Sequence, residues 1–254
     1  MSVVAAQNFT PDELRDMRAA GKILAELFQD LRGQVHAGVT GKDIDAWCAR
    51  EITKRGAIAT YKNPEVNFPG VICISINDAI VHAVPTDDSF QVGDVIGFDL
   101  VIEVNGMKAD SAFTMIVDEE ARGAKKLLLN TTEQSLYAGI DAIHGAVKTG
   151  DIAAAVETVL NKAKLGIIRD LVGHGIGRNM HEDPDIPNYG QRGSGMLVPV
   201  GNAIAIEPMA TLGGWKVKQD SDGWTIRTRD GSLSAHFEHT VLITETGAEI
   251  ITQL

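Results

Sequence analysis

The chain has 254 residues, 44% of them hydrophobic and 22% charged, an ordinary composition for a globular protein with a large core. Its 23 Lys and Arg against 34 Asp and Glu give a formal net charge of −11, which argues against broad electrostatic binding to nucleic acid or to an anionic membrane. Two cysteines are too few for a disulfide framework, and we find neither a membrane-spanning apolar run nor a signal-peptide pattern. We therefore expect a cytoplasmic protein with no nucleic-acid or membrane partner.

The first part of the chain predicts two helices followed by strands. Thr10, Pro11 and Glu13 indicate a helix start, because threonine caps, proline suits the first helical position and the glutamate completes a capping box. Apolar residues at helical spacing continue to Gly33, and a second helix is predicted after Thr40. Strand-like segments follow at 71–76, 95–104 and 107–117.

The second part of the chain repeats this order. A long helix is predicted at about 119–146 and another after Thr149, and strand-like segments follow at 203–206, 215–218, 224–227 and 236–244. The segments 40–44 and 149–152 also look alike. We interpret the chain as a single domain over residues 1–254, made of two related halves, about 1–118 and 119–254. The expected α/β (α+β) fold has a central antiparallel sheet flanked by helices.

A hairpin in the first half brings two aspartates together. Asn-Gly at 105–106, between apolar runs, predicts a two-residue turn and a register in which Glu103 faces Lys108. Because side chains alternate, Asp99 and Asp110 then lie on one face as diagonal neighbours. Aspartate is depleted in strands and is costly when buried unpaired, so the pair indicates bound cations; the alternative is a solvated face.

Further candidate ligands lie in the second half. His174 and His181 occur in a glycine-rich loop, where the backbone can approach a ligand closely; a structural or surface role is the alternative. Glu207 ends a short apolar strand, and Glu238 lies inside a strand-like segment. The four carboxylates with one imidazole suit a pair of divalent ions such as Mn, Fe, Co or Zn, and a metal pair is typical of hydrolases.

Several strings resemble one enzyme family, type I methionine aminopeptidase. They are Gly-His-Gly-Ile-Gly-Arg at 173–178, Ile-Glu-Pro-Met at 206–209, Ser-Leu-Ser-Ala-His-Phe-Glu-His-Thr at 232–240, and Cys-Ile-Ser-Ile-Asn at 73–77 with His82 following. The resemblance spans nearly the whole chain. It implies a pseudo-twofold duplicated pita-bread fold and removal of the N-terminal methionine from nascent proteins and peptides. It also implies two divalent metal ions (Co, Mn, Fe or Zn). We expect a monomer with at most transient ribosome contact.

The resemblance also assigns roles to single residues. It implies that five side chains hold metal, with Asp110 and Glu238 bridging: Asp99, Asp110, His174, Glu207 and Glu238. Glu207 would in addition be the general base. His82 and His181 would contact the substrate, and His181 would stabilise the developing oxyanion. Three residues match apolar positions of the methionine pocket, and an ordinary core position is the alternative for each: Phe68, Cys73 and Trp224.

Three positions depart from the family pattern. Glu65 stands where a tyrosine is common, Ala83 where glycine is usual and Met180 where an aromatic residue is usual. These changes concern the shape and polarity of the substrate pocket and leave the metal ligands intact. We expect Glu65 to lie on a rim loop and to face water.

Other functions remain open to the sequence. Proline-specific peptidases of the aminopeptidase P and prolidase type share the fold and the five ligands but usually carry a long N-terminal domain, so the first helix at residue 11 favours the methionine enzyme. A non-catalytic binding module of the same fold would be expected to lose a metal ligand, and none is lost. A ribosome-binding accessory factor would call for a basic patch or a zinc-finger extension, which we do not find.

Overall fold

The computed structural model describes residues 2–64 and 66–254. Four α-helices are α1 (Pro11–Arg32), α2 (Gly41–Lys54), α3 (Gly123–Asp141) and α4 (Thr149–Lys162). The strands of the first half are β1 (Ile58–Ala59), β2 (Cys73–Ile76), β3 (Ala79–Val81), β4 (Val95–Val104) and β5 (Met107–Ile116). A one-turn 3₁₀ helix, Thr60–Lys62, follows β1.

Twelve short strands follow in the second half. Between and after the helices these are β6 (Val147–Lys148), β7 (Gly166–Ile167), β8 (Gly173–Gly175), β9 (Glu182–Ile186), β10 (Leu197–Val198), β11 (Ala203–Ile206), β12 (Met209–Thr211), β13 (Val217–Gln219), β14 (Ile226–Thr228), β15 (Ser234–His236), β16 (Glu238–Ile243) and β17 (Ala248–Ile250).

Helix starts follow the capping chemistry of the sequence in the first half. The Thr10 hydroxyl accepts a hydrogen bond from the backbone of Glu13, whose carboxylate accepts one from Thr10 N, and Thr40 forms the same capping box with Asp43. The prediction of a helix at 119–146 was too long. That helix begins at Gly123, where Arg122 makes no side-chain capping hydrogen bond, and it ends at Asp141, because the chain then turns before β6.

The main sheet has nine antiparallel strands and carries the hairpin of the two aspartates. Its order is β1-β4-β5-β16-β11-β8-β9, with β2 also on β4 and β17 also on β16. Strands β4 and β5 pair in the predicted register, in which Glu103 faces Lys108 and Val101 faces Asp110. The Lys108 ammonium lies 3.0 Å from the Glu103 carboxylate. The two-residue turn therefore fixes the register as expected.

The hairpin has an apolar face and a polar face. Phe98, Leu100 and Ile102 are fully buried in the main core, and α1 packs against β4 and β5. Asp99 and Asp110 alternate with these residues and point to the opposite side. Helices α3 and α4 pack together beside the second half of the sheet. Within the described residues no helix is long and apolar enough to cross a membrane.

Candidate active site

Five strands of the main sheet bring the five candidate ligands to one place. Asp99 lies on β4, Asp110 on β5 and Glu238 at the start of β16, which pairs with β5 so that Glu238 faces Ala112. His174 lies in the middle of β8, and Glu207 directly follows β11. Because β11 lies between β16 and β8, residues far apart in the chain become neighbours on one face of the sheet.

The ligand atoms are close enough to share cations. One atom each of Asp110, His174 and Glu238 lie within 4.8 Å of one another. The His174 Nε2 atom lies 3.5 Å from Glu207 Oε1 and 3.9 Å from Asp110 Oδ2. Asp99 joins the group from the neighbouring strand, where its Oδ1 accepts a 2.7 Å hydrogen bond from the hydroxyl of Tyr61.

Burial of these carboxylates disfavours their charged form. Asp99, Asp110 and Glu238 are each less than a tenth exposed. Burial raises the pKa of Asp99 to about 6, against the hydrogen bond from Tyr61, which lowers it. Burial first and the Asp99 charge second raise the pKa of Asp110, and burial also raises those of Glu207 and Glu238. Four ionised carboxylates at this site would therefore carry a negative charge that water does not screen.

Nothing among residues 2–64 and 66–254 neutralises this charge. No lysine or arginine there forms an ion pair with any of the four carboxylates, and the Oδ1 of Asp110 and Oε1 of Glu238 are buried without a hydrogen-bond partner. Burial lowers the pKa of His174 to about 4, so its imidazole is neutral near neutral pH. Deprotonated oxygens and a neutral imidazole form a donor set suited to Mn, Fe, Co or Zn.

One cavity of about 370 Å³ contains the five ligands and the candidate substrate residues. Its polar end is formed by the ligands together with His82 and His181, and its apolar wall by Tyr61, Val66, Phe68, Cys73, Met180 and Trp224. Each site residue that we predicted from the sequence lines this cavity. The substrate and catalytic roles of these residues stay predictions.

The apolar wall is a small aromatic cluster separate from the main core. The ring of Phe68 lies 5.4 Å from that of Tyr61 and 5.3 Å, edge to face, from that of Trp224. Cys73 is 1% exposed and belongs to the same cluster as Val101. Such a wall suits an unbranched apolar side chain.

Two histidines border the cavity from different loops. His82 directly follows β3 with a φ of 56°, a left-handed conformation that non-glycine residues rarely adopt. The His181 ring lies 4.3 Å from the His174 ring, edge to face. Burial lowers the pKa of His82 to about 4 and lowers that of His181 as well, so both rings are neutral near neutral pH.

His236 also lies at the site, and our sequence analysis missed it as a site residue. Its Nε2 is buried without a hydrogen-bond partner, 3.6 Å from Glu207 Oε2 and 3.9 Å from Glu238 Oε2. Burial lowers its pKa to about 3. Its position could have been predicted from the spacing, because residues two apart in extended chain lie on the same face, and His236 precedes Glu238 by two.

The departures from the family pattern fall in different places. Met180 packs against the aromatic wall and lines the cavity, whereas Ala83 is buried outside it. Glu65 lies outside the described residues, so its expected position on a rim loop stays a prediction.

The N-terminal arm, residues 2–9, supports the loop of His181. The side chain of Gln7 donates to Ile176 O at 3.0 Å and to Glu182 Oε2 at 2.7 Å, and it accepts from Ala203 N at 2.6 Å. The Arg178 guanidinium donates to Gln7 O at 2.9 Å. The arm thus connects the two ends of the His181 loop to β11, the strand that precedes Glu207.

The sequence is similar to those of known metallopeptidases. Residues 15–245 match metallopeptidase family M24. Methionine aminopeptidase 1 of Bacillus subtilis is 40% identical over 245 residues, which cover 96% of this chain and 98% of that protein. A divalent-metal requirement follows from the family, and the buried donor set described above fits it.

Solved structures show the same architecture. The crystal structure of methionine aminopeptidase from Thermotoga maritima superposes with a TM-score of 0.94 at 36% identity, and that from Rickettsia prowazekii with 0.93 at 35%. Each comparison covers 98% of this chain and 100% of the other. The predicted pita-bread fold is confirmed. The chain belongs to the methionine aminopeptidases of metallopeptidase family M24.

Proposed function

We propose that this protein removes methionine from the N-terminus of nascent proteins and peptides by hydrolysing their first peptide bond. The observation that carries the proposal is that one cavity contains both the buried candidate metal ligands and an apolar aromatic wall opposite them. The wall would accept the methionine side chain, and the donor set would lie at the bond to be cleaved. The proposed ligands of two divalent ions are Asp99, Asp110, His174, Glu207 and Glu238.

The metal ions, Co, Mn, Fe or Zn, would supply Lewis acidity and lower the pKa of the attacking water. We propose that Glu207, which directly follows β11, would act as the general base toward that water. Its two carboxylate oxygens lie 3.5 Å from His174 Nε2 and 3.6 Å from His236 Nε2. Two imidazoles therefore lie beside this carboxylate, at distances longer than an ordinary hydrogen bond.

His82 and His181 are proposed to bind and polarise the scissile peptide group. A neutral imidazole carries one N–H donor, so each ring can donate to a carbonyl oxygen without the cost of burying a cation. We assign the oxyanion to His181, because its ring packs against that of His174 at the cavity and is more exposed than the ring of His82.

The remainder of the substrate needs space beyond the metal centre. A second cavity of about 600 Å³ shares His82, His174, His181 and Glu207 with the first, and opens between β9 and the segment 170–172. We propose that residues after the cleaved bond leave by this opening. The methionine side chain would occupy the enclosed aromatic end, where each methylene contributes about 1–3 kcal/mol to discrimination.

The proposal also covers the domain organisation, the oligomeric state and the cellular location of the protein. Residues 1–254 would form a single catalytic domain of two related halves, about 1–118 and 119–254, each with two helices followed by strands. We propose that it acts in the cytoplasm as a monomer, without nucleic-acid or membrane partners, and meets nascent chains with at most transient ribosome contact. The two free, buried cysteines agree with a reducing compartment.

Metal analysis coupled to a peptide panel tests the proposal. We expect kcat/KM to be highest for peptides that begin with Met, lower for N-terminal Leu, and negligible for N-terminal Lys and for Xaa-Pro bonds. Activity should disappear on chelation and return with added metal. A preference for Lys or for Xaa-Pro would overturn the methionine assignment and leave the aminopeptidase assignment standing. Metal binding without turnover of any peptide would instead favour a binding module.

A further inference from the structure

The two strands that carry Asp110 and Glu238 share a very short backbone ladder. Strands β5 and β16 pair only at Ala112–Glu238 and Ser111–His239 within the described residues. In the same register Thr240 stands opposite Asp110, one position beyond the ladder. Immediately after Thr240, β16 takes β17 as its neighbour, beginning with the pair Val241–Ile250. The strands therefore separate at the ligand Asp110.

A threonine side chain replaces the ladder at this point. The Thr240 hydroxyl accepts a hydrogen bond from Asp110 N at 2.9 Å and donates one to Asp110 O at 2.8 Å. The backbone of Thr240 bonds other residues: its N donates to the Thr252 hydroxyl at 3.2 Å, and its O accepts from Ile251 N at 2.9 Å. Thr240 is completely buried. One hydroxyl thus satisfies both peptide groups of a ligand residue.

A second hydroxyl makes the reciprocal contact. Ser111, next to Asp110 on β5, donates from Oγ to the backbone carbonyl of Glu238 at 2.7 Å. A third hydroxyl, that of Thr114, lies at the other end of the ladder. It accepts a hydrogen bond from His236 N at 3.0 Å and donates one to His236 O at 2.8 Å, the same pair of bonds that Thr240 makes with Asp110. Side-chain hydroxyls therefore continue the pairing of β5 and β16 on both sides of the ladder.

We propose that Thr240 and Ser111 are positioning residues that set the separation of the Asp110 and Glu238 carboxylates and thereby the affinity of the protein for its metal ions. This inference rests on the proposed function, in that the two carboxylates bind metal. Each carboxylate has one buried oxygen without a hydrogen-bond partner, Asp110 Oδ1 and Glu238 Oε1, so the position of the backbone beneath them largely determines where the carboxylates lie. Partners that orient metal ligands typically change metal affinity by 10–100-fold when removed.

Binding of Mn²⁺ to the metal-free protein, followed by calorimetry, tests the inference. Thr240→Val removes the hydroxyl at nearly constant size, and Thr240→Ser retains it. We expect Thr240→Val to weaken Mn²⁺ binding by about 10–100-fold and Thr240→Ser to restore most of the loss. The matched control is Thr211→Val, because Thr211 is also completely buried and its hydroxyl donates to Gly214 O and accepts from Gly213 N.

The control separates positioning from general destabilisation. Both valine variants should lower the Tm, but only Thr240→Val should weaken Mn²⁺ binding. Equal Mn²⁺ affinity in Thr240→Val and wild type, or an equal loss in Thr211→Val, would overturn the inference while the proposed function stands. If Thr240→Val does not fold, Ser111→Ala provides the same test with one lost bond, and unchanged affinity there would also overturn it. A wild-type protein that binds no Mn²⁺ would overturn the proposed metal site itself.

Discussion

The hydroxyl of Tyr61 donates a 2.7 Å hydrogen bond to Oδ1 of Asp99, and both side chains are buried. Tyr61 lies in the 3₁₀ turn after β1, so a segment outside the ligand-bearing strands controls one oxygen of a candidate ligand. The bond stabilises the charged carboxylate and lowers the pKa of Asp99, against the larger effect of burial, which raises that pKa to about 6.

Tyr61→Phe should therefore weaken metal binding in a pH-dependent way. Without the hydroxyl the pKa of Asp99 rises further, and protons compete better with metal. We expect about tenfold weaker Mn²⁺ binding near neutral pH, with a smaller difference at higher pH. The ring contact with Phe68 is kept, so the peptide preference should not change. A difference from wild type that is constant across pH would contradict this explanation.

Asp110→Asn should lose metal and nearly all turnover. The amide keeps the shape of the side chain but removes the charge, and Asp110 is one of the two carboxylates expected to bridge the metal ions. In the metal-free state the variant should be at least as stable as wild type, because burial and the Asp99 charge already disfavour the ionised form of Asp110. Metal content, kcat and the Tm in chelator are measured together. The exposed Asp12→Asn is the control, and normal kcat with full metal content in Asp110→Asn would rule out the bridging role.

His181→Ala should separate catalysis from metal binding. If His181 stabilises the transition state, kcat should fall by about 10²–10³-fold, as when one oxyanion donor is lost. The metal content should stay unchanged, because no ligand is removed. Parallel losses of metal and activity would instead indicate a structural role for the ring packed against His174.

Stabilisation of the protein by metal should increase with pH. The folded-state pKa of Asp99, about 6, lies above its ordinary value of 3.8, so ionising this group costs the metal-free fold stability as pH rises between the two values. Metal binding needs the ionised form, and His174 is already neutral above a pH of about 4. The Tm difference between Mn²⁺ and chelator should thus be small at about pH 5 and large at about pH 8. A difference that shrinks with rising pH would contradict the assigned carboxylates.

Local patterns predicted the hairpin well. The Asn-Gly turn and strict alternation determine which side chains share a face, and the register of Asp99 and Asp110 follows without knowledge of the rest of the chain. The helix starts at Thr10 and Thr40 were also predicted from local sequence, because both partners of each capping box lie within three residues of each other. The ligand strings of the second half were recognised from the family resemblance.

Long-range contacts were not predictable in this way. Tyr61 contacts Asp99 because β1 pairs with β4, and His236 approaches Glu207 because β12 pairs with β15, where Met209 faces His236, and β11 pairs with β16. Neither of these strand pairings can be predicted from the residues of a short segment. The start of α3 was misplaced because it has no side-chain cap, so only the tertiary packing shows where the helix begins.

The N-terminal arm makes the loop of His181 depend on a segment that is distant in the sequence, because Gln7 bonds Ile176, Glu182 and Ala203, which lie 169, 175 and 196 residues further along the chain. Limited proteolysis that trims the chain back to Phe9 would remove these bonds and leave every candidate ligand in place. Such a clipped preparation would bind metal normally and turn over poorly. The intact mass of each preparation is therefore the measurement that any kinetic comparison of variants must include.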